Sequence, residues 1–333
     1  MSTKLNVTGL KEAAADIPPA QDGTYAHIGS QGGTEMMMKG LRDRIDPSLL
    51  DQFNIICSRV RPENISKTKK NLLWLHDTWD DPESEWLTDP KLRARFAKLI
   101  FVSNYQQATF NIGRGVPFGE GVVLQNAIEP ISLVAKPDTS EGKINLIYHT
   151  TPHRGLELLV PVFEKLNEII PNIHLDVFSS FNAYGWPARD EPYKPLFERI
   201  SRHPNMTYHG FQPNQVVRNY LKNAHIYAYP NIWPETSCIS VIEAMSAGCS
   251  VVTSSFGALP ETCANMAMMY SYVEDYNRHA NIFAQVLYSA IEHYNDEETQ
   301  HLLLFQKAFF DNYYNWDVRA KQWTRLLKDL ASA

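Results

Sequence analysis

From Lys143 onward, short apolar runs alternate with segments long enough to be helices. The runs INLIYHT, IHLDVFSS, MTYHGF, HIYAYP, CSVVTSS and MAMMYSY read as strands. They are mostly apolar, as strands covered on both faces must be. Between them, GLELLVPVFEKLNEII repeats its apolar residues at three- and four-residue spacing, which predicts an amphipathic helix. Strand–helix alternation of this kind predicts a parallel sheet with helices on both faces. Right-handed crossovers would then gather the strand-to-helix loops at the carboxyl edge, where such sheets bind ligands. The first part of the chain carries a weaker version of the pattern. FNIICS, NLLWLHD, KLIFVSN and VVLQNAI read as strands there, GTEMMMKGLRDRI and PKLRARFAKL as helices.

The stretch IEPISLVAKPDTSEGK has two prolines and little apolar pattern, and reads as a boundary. The expected class is α/β, with two Rossmann-like domains facing each other across a cleft. Residues 1–127 form a shortened first domain, 128–142 the linker and 143–315 the second domain. Residues 316–333 form a last helix packing back on the first domain. At 333 residues the length suits two domains.

Composition narrows the setting. A 44% hydrophobic and 20% charged chain is expected to be a soluble globular protein, and its net charge of -6 argues against a nucleic-acid binder. Cys57, Cys238, Cys249 and Cys263 are scattered without metal-ligand spacing, so reduced thiols and a cytoplasmic location are expected. No apolar run reaches the length of a membrane span, and MSTKLNVTGLKEAAADIPPA lacks a signal-peptide core. Basic clusters at Arg59–Arg61, Lys67–Lys70 and Lys91–Lys98 read as solvated faces, with peripheral contact to a membrane surface as the sharper reading.

Four constellations could carry chemistry. In PETSCISVIEAMSAG, Glu235 stands at the mouth of a helix expected to start near Thr236 or Ser237, both natural caps. There it would complement the helix dipole or join the free amides in holding a ligand. Glu243 falls inside the same small, apolar helix and has to be desolvated unless something pairs with it. A sugar diol suits it, since one carboxylate accepts from two neighbouring hydroxyls. In IYHTTPHRGLELL, Arg154 and the hydroxyls of Thr150 and Thr151 precede a helix start, a place for anion recognition. In SQGGTEMMMKGL, Gly32 and Gly33 allow a ligand close to the backbone, and in LLWLHDTW, His76 and Asp77 end a strand at the cleft.

Together these residues resemble the retaining glycosyltransferases of the GT-B fold, family four, in the group 1 set. The resemblance rests on the E-x7-E segment running into GALPE, with RGLELL, GGTE, LWLHD, FVSNY, LQNAIEP and NWDVRAKQW in order along nearly the whole chain. It implies that Glu243 binds the ribose hydroxyls of a nucleotide and that Glu235 contacts the donor sugar. It places Arg154 on the donor diphosphate, Gly33 facing that diphosphate and His76 near the sugar. The amides of Ser237, Cys238 and Ile239 would face sugar and phosphate, with Thr150 assisting, and His209, Gly210 and Phe211 would border the base. Two departures stand out: Tyr148 and His149 occupy the region where a second basic residue is usual, and Cys238 replaces the usual glycine.

The implied activity is retaining, metal-independent transfer of a hexose from a nucleotide-diphosphate sugar, a UDP- or GDP-sugar, to a hydroxyl of a saccharide or glycan. No cofactor beyond the co-substrate is expected. An epimerase or phosphorylase on the same fold, or an inactive sugar-nucleotide-binding protein, would share most of these residues. A nicotinamide dehydrogenase fits poorly, because no G-x-G-x-x-G follows any strand.

Overall fold

A computed structural model of the chain describes residues 5–10, 32–140 and 143–333. Ser30 and Gln31 of the glycine-rich motif, and Glu141 and Gly142 of the linker, lie outside the described residues. Two wholly parallel sheets form the framework. The first comprises β1 (Phe53–Cys57), β2 (Lys70–Trp74), β3 (Lys98–Phe101) and β4 (Gly121–Val123), paired in chain order. The second comprises β5 (Ile144–His149), β6 (Ile173–Phe178), β7 (Met206–Tyr208), β8 (Ile226–Tyr229), β9 (Ser250–Ser254) and β10 (Met268–Tyr270). Its spatial order is β10-β9-β8-β5-β6-β7. The chain therefore winds outward in one direction from β5 and in the other from β8. This is a doubly wound sheet whose switch point lies between those two strands.

The helices of the first half are α1 (Gly33–Arg42), α2 (Pro47–Leu50), α3 (Pro90–Arg93) and α4 (Asn104–Arg114). Those that follow are α5 (Leu156–Ile169), α6 (Lys194–Arg202), α7 (Asn214–Asn223) and α8 (Ile239–Ser246). Then come α9 (Leu259–Thr262), α10 (Tyr276–Glu292), α11 (Glu297–Tyr313) and α12 (Trp316–Ser332). No helix among the described residues is long and apolar enough to cross a membrane.

Period-two alternation in the first sheet sorts its side chains between two cores. Leu72, Trp74, Ile100 and Val102 face one side, where Met37 and Leu41 of α1 and Trp316, Trp323 and Leu327 of α12 cover them. Leu73, Leu75, Leu99 and Phe101 face the other, against Phe110 of α4. The last helix thus completes the core of the first domain. Gly40 makes this possible, since a Cβ there would lie 2.1 Å from the Trp316 ring.

The domain is short for a visible reason. The connection from β1 to β2 holds a single 3-10 turn, Pro62–Asn64, where a crossover helix is usual. The helix expected over PKLRARFAKL is also cut to α3. Arg93 is buried and tied to the Leu87 carbonyl (2.6 Å) and to Glu120 (2.7 Å), and Phe96 turns into the core.

Val7 and Leu10, expected in the first domain, lie instead on α10 of the second, their N–H groups donating to Asn281 and Asn277. Among the described residues, two further segments join the domains side by side. Ile128 forms a parallel bridge to Asn315, and the Ile128 N–H donates to the Tyr314 carbonyl at 2.7 Å.

Candidate functional site

A cleft of about 940 Å³ opens at the switch point, between the carboxyl edges of the two sheets. From the second domain it is lined by the loops after β5, β6, β7 and β8 and by the start of α8. From the first it is lined by Gly32 and Gly33, by His76 and Asp77 after β2, and by Asn126 after β4. Every residue expected to touch the donor lines this one cleft: Gly33, His76, Thr150, Arg154, Phe211, Glu235, Ser237, Cys238, Ile239 and Glu243. His209 does not. Its ring stacks on Phe178 at 4.2 Å and bonds Asp176 at 2.6 Å, so it supports the wall while Gly210 and Phe211 line it.

Glu235 is buried and doubly engaged. Arg154 donates to its carboxylate at 2.5 Å and the Tyr229 hydroxyl at 2.6 Å. Burial opposes the charge on Arg154, but Glu235 outweighs it and holds the guanidinium pKa well above its ordinary value. The loop bearing Glu235 is fixed by the GALPE segment. The Ala258 N–H donates to the Glu235 carbonyl at 2.7 Å. Gly257 passes so close that a Cβ would lie 2.5 Å from the Glu235 nitrogen, and its φ of +68° is one that glycine adopts freely.

The helix start differs from the sequence expectation. Thr236 and Ser237 do not cap it; α8 begins at Ile239, after Cys238, with no side-chain cap. Thr236 is drawn off to the other domain: its hydroxyl donates to the His76 carbonyl at 2.9 Å, and the Thr236 carbonyl accepts from the Ser103 hydroxyl at 2.6 Å. The Asn126 amide reaches the Ser237 carbonyl at 3.3 Å. The uncapped amides at the start of α8 are thereby left facing the cleft, a favourable place for an anion.

Glu243 is buried, as its apolar helix demands, but it has protein partners that the sequence did not reveal. Arg218 of α7 donates to it at 2.7 Å and Asn214 at 3.0 and 3.2 Å. Burial pushes its pKa up, and Arg218 and Asn214 pull it back. Glu261, the last residue of GALPE, was also missed. It accepts from the Asn104 and Tyr105 N–H groups at 2.9 Å each, capping α4 from across the cleft. A lone glutamate in a four-residue helix gives no sequence hint of a partner in the other domain.

Polar side-chain atoms without protein partners converge on this cleft. Buried atoms of His76 (Nε2), His149 (Nε2), Thr151 (Oγ1), His153 (Nδ1), Ser179 (Oγ) and Asn126 (Oδ1) make no hydrogen bond. Buried polar atoms are nearly always satisfied, so their concentration here marks a place built to meet a polar ligand. Cys238 is buried beside them, its Sγ 3.1 Å from the Ser240 hydroxyl, and burial pushes its thiol up to about 12.

Burial also pushes His76 and His149 down to about 3 each, the Ser240 main chain partly opposing this for His149. Both are neutral hydrogen-bonding groups near neutral pH. Their folded pKa values lie below the unfolded value of 6.5, so the unfolded chain binds more protons and stability falls on acidification below about 6.5. Each should account for about 3 kcal/mol by about pH 4. Urea unfolding of His76→Gln should show a shallower loss between neutral pH and about pH 5 than the parent; equal slopes would contradict the assignment.

Residues 135–297 match the family described as glycosyl transferases group 1. One component of human phosphatidylinositol N-acetylglucosaminyltransferase is 24% identical over 141 residues, which are 42% of this chain and 28% of the relative. The chain spans 28 and 36% of the lengths of the curated relatives it matches. Among solved structures, Anabaena HepE in complex with UDP-glucose superposes with a TM-score of 0.61 at 17% identity, covering 78% of this chain and 72% of that one. A glycosyltransferase from Rickettsia africae gives 0.64 at 13% identity, covering 90% and 81%. At these identities the solved structures speak for the fold. Residues 135–297 are thus similar to the glycosyl transferases group 1 family, and the two domains together have the GT-B fold.

Proposed function

We propose that the protein transfers a hexosyl group from a nucleotide-diphosphate sugar to a hydroxyl of a saccharide or glycan, with retention at the anomeric carbon. One observation carries this reading: two buried carboxylates, Arg154 and the uncapped start of α8 converge on a single cleft at the switch point. Glu243 accepts the ribose diol, Phe211 borders the base, and Arg154, the Ser237, Cys238 and Ile239 amides and the Thr150 hydroxyl take the diphosphate. Gly33 lets that diphosphate approach the first domain. Glu235 orients the sugar and neutral His76 donates to it or accepts from it.

In the reaction the bond from the anomeric carbon to the diphosphate oxygen breaks through an oxocarbenium-like state, and the acceptor oxygen bonds to the same face. The acceptor proton passes to the departing phosphate oxygen. The chain's contribution is to hold leaving-group charge with preorganised donors and to fix the two reactants together. Arg154 and the helix amides do this in place of a metal. The donor nucleotide is uridine or guanosine. A structural neighbour in complex with UDP-glucose, and the N-acetylglucosaminyl group in the names of the curated relatives, make UDP-glucose and UDP-N-acetylglucosamine the first donors to test. The buried free thiols Cys238, Cys249 and Cys263 suit a reducing, cytoplasmic setting.

Thermal shifts with UDP, GDP and uridine should show stabilisation by a diphosphate and little by the nucleoside. Donor hydrolysis, then transfer to a saccharide panel with the product's anomeric configuration read by NMR, should give retention and survive a chelator. Stabilisation by nucleosides alone, or an inverted product, would overturn the reading. Epimerisation of the donor without acceptor would favour the epimerase.

A further inference from the structure

Glu129 is held from both domains at once. Its carbonyl accepts from the Arg218 guanidinium at 2.7 Å, on the side of the second domain, and Arg218 also reaches the Pro130 carbonyl at 3.4 Å. Its carboxylate pairs with Arg44 of the first domain, between α1 and α2. Arg44 in turn lies over Trp316, 5.2 Å from the ring centroid, at the second crossing between the domains. The other branch of Arg218 is the 2.7 Å bond to Glu243. One planar guanidinium thus spans the carboxylate of Glu243 and the interdomain linker through two nitrogens held in fixed relation to each other.

We propose that Arg218 is a positioning residue that relays occupancy of Glu243 to the linker and, through Glu129 and Arg44, to the first domain. The inference rests on the reading of Glu243 as the ribose-binding carboxylate. When hydroxyls take up lone pairs of Glu243, the carboxylate and its bond to Arg218 settle into one geometry. The Glu129 carbonyl on the opposite branch follows, and with it the angle at which Arg44 is held. By reciprocity, a linker held in that geometry favours nucleotide binding. The relay would act on the pair of crossings at Ile128 and Asn315, which a parallel bridge ties together.

The test is hydrogen exchange on the full chain with and without saturating UDP or GDP. In the parent, nucleotide should slow exchange about tenfold in the linker around Ile128 and in the last turn of α1 up to Arg44, away from the Gly33 end that lines the cleft. Arg218→Lys should still bind nucleotide but lose the added protection of α1. Arg44→Gln should bind nucleotide more weakly by no more than the same roughly tenfold coupling, keep the linker response and lose that of the last turn of α1. Arg218→Lys responding as the parent, with only its nucleotide-free stability lowered, would reduce Arg218 to a structural tie and overturn the relay. So would a nucleotide-bound parent with no change in linker or α1. If neither nucleotide binds the parent, the ribose reading of Glu243 fails first, and the relay falls with it.

Discussion

Arg154→Ala should lower sugar transfer by about a thousandfold, chiefly in kcat, because it removes a donor aimed at charge that grows as the diphosphate departs. Arg154 is the side chain best placed for this, standing on the loop after β5 beside the switch point, locked to Glu235 at 2.5 Å. The change also strips Glu235 of its ion partner and leaves only the Tyr229 hydroxyl. Breaking a buried pair from one side costs about 3–5 kcal/mol, so the variant should be less stable as well as slow. Arg154→Lys separates the two effects. It restores a cation near Glu235 and most of the stability, but it cannot present a planar fork, and kcat should stay well below that of the parent. Single-turnover transfer alongside thermal denaturation measures both quantities. An alanine variant within about threefold of the parent in kcat would remove Arg154 from the leaving-group role.

Glu243→Gln should act on the other kinetic constant. A ribose contact is made equally in the bound donor and in the transition state, so losing it raises KM and leaves kcat nearly unchanged. A charge-assisted hydrogen bond is worth about 1.5–3 kcal/mol, which corresponds to a KM higher by roughly ten- to a hundredfold. Glutamine keeps the shape but not the charge, so Arg218 loses its buried counterion and the protein should also lose stability. Glu243→Ala removes shape and charge together and should be worse in both respects. Donor titrations of initial rate decide the matter. A fall in kcat at unchanged KM would move Glu243 from the ribose to the reacting sugar.

These two residues also show how legibility divides. Glu243 could be read as desolvated because VIEAMSAG offers no polar face, and the structure buries it. Its partner could not be read, because Arg218 lies on another helix in NQVVRNYLKN, where an arginine looks like any solvent-facing charge. The same holds for Thr236. Local chemistry favours it as a helix cap, and by itself the segment PETS says nothing of His76 across the cleft, whose carbonyl takes the hydroxyl instead. Helix boundaries moved for similar reasons. PKLRARFAKL keeps a helical pattern past Arg93, yet the buried bonds of Arg93 and the turn at Phe96 end α3.

The sequence by itself determined what rests on short-range pattern. Apolar runs and intervening amphipathic segments specify two parallel α/β sheets, since period and length distinguish buried strands from helices over a few residues. E-x7-E, RGLELL and GGTE name residues on both walls of the cleft. Tertiary structure decided what depends on elements brought together from far apart. It paired Arg154 with Glu235 and Arg218 with Glu243, capped α4 with Glu261, covered the first sheet with α12, and closed the linker between Arg218 and Arg44. Charge pairing and desolvation are properties of a neighbourhood, and a buried neighbourhood exists only once the chain has folded.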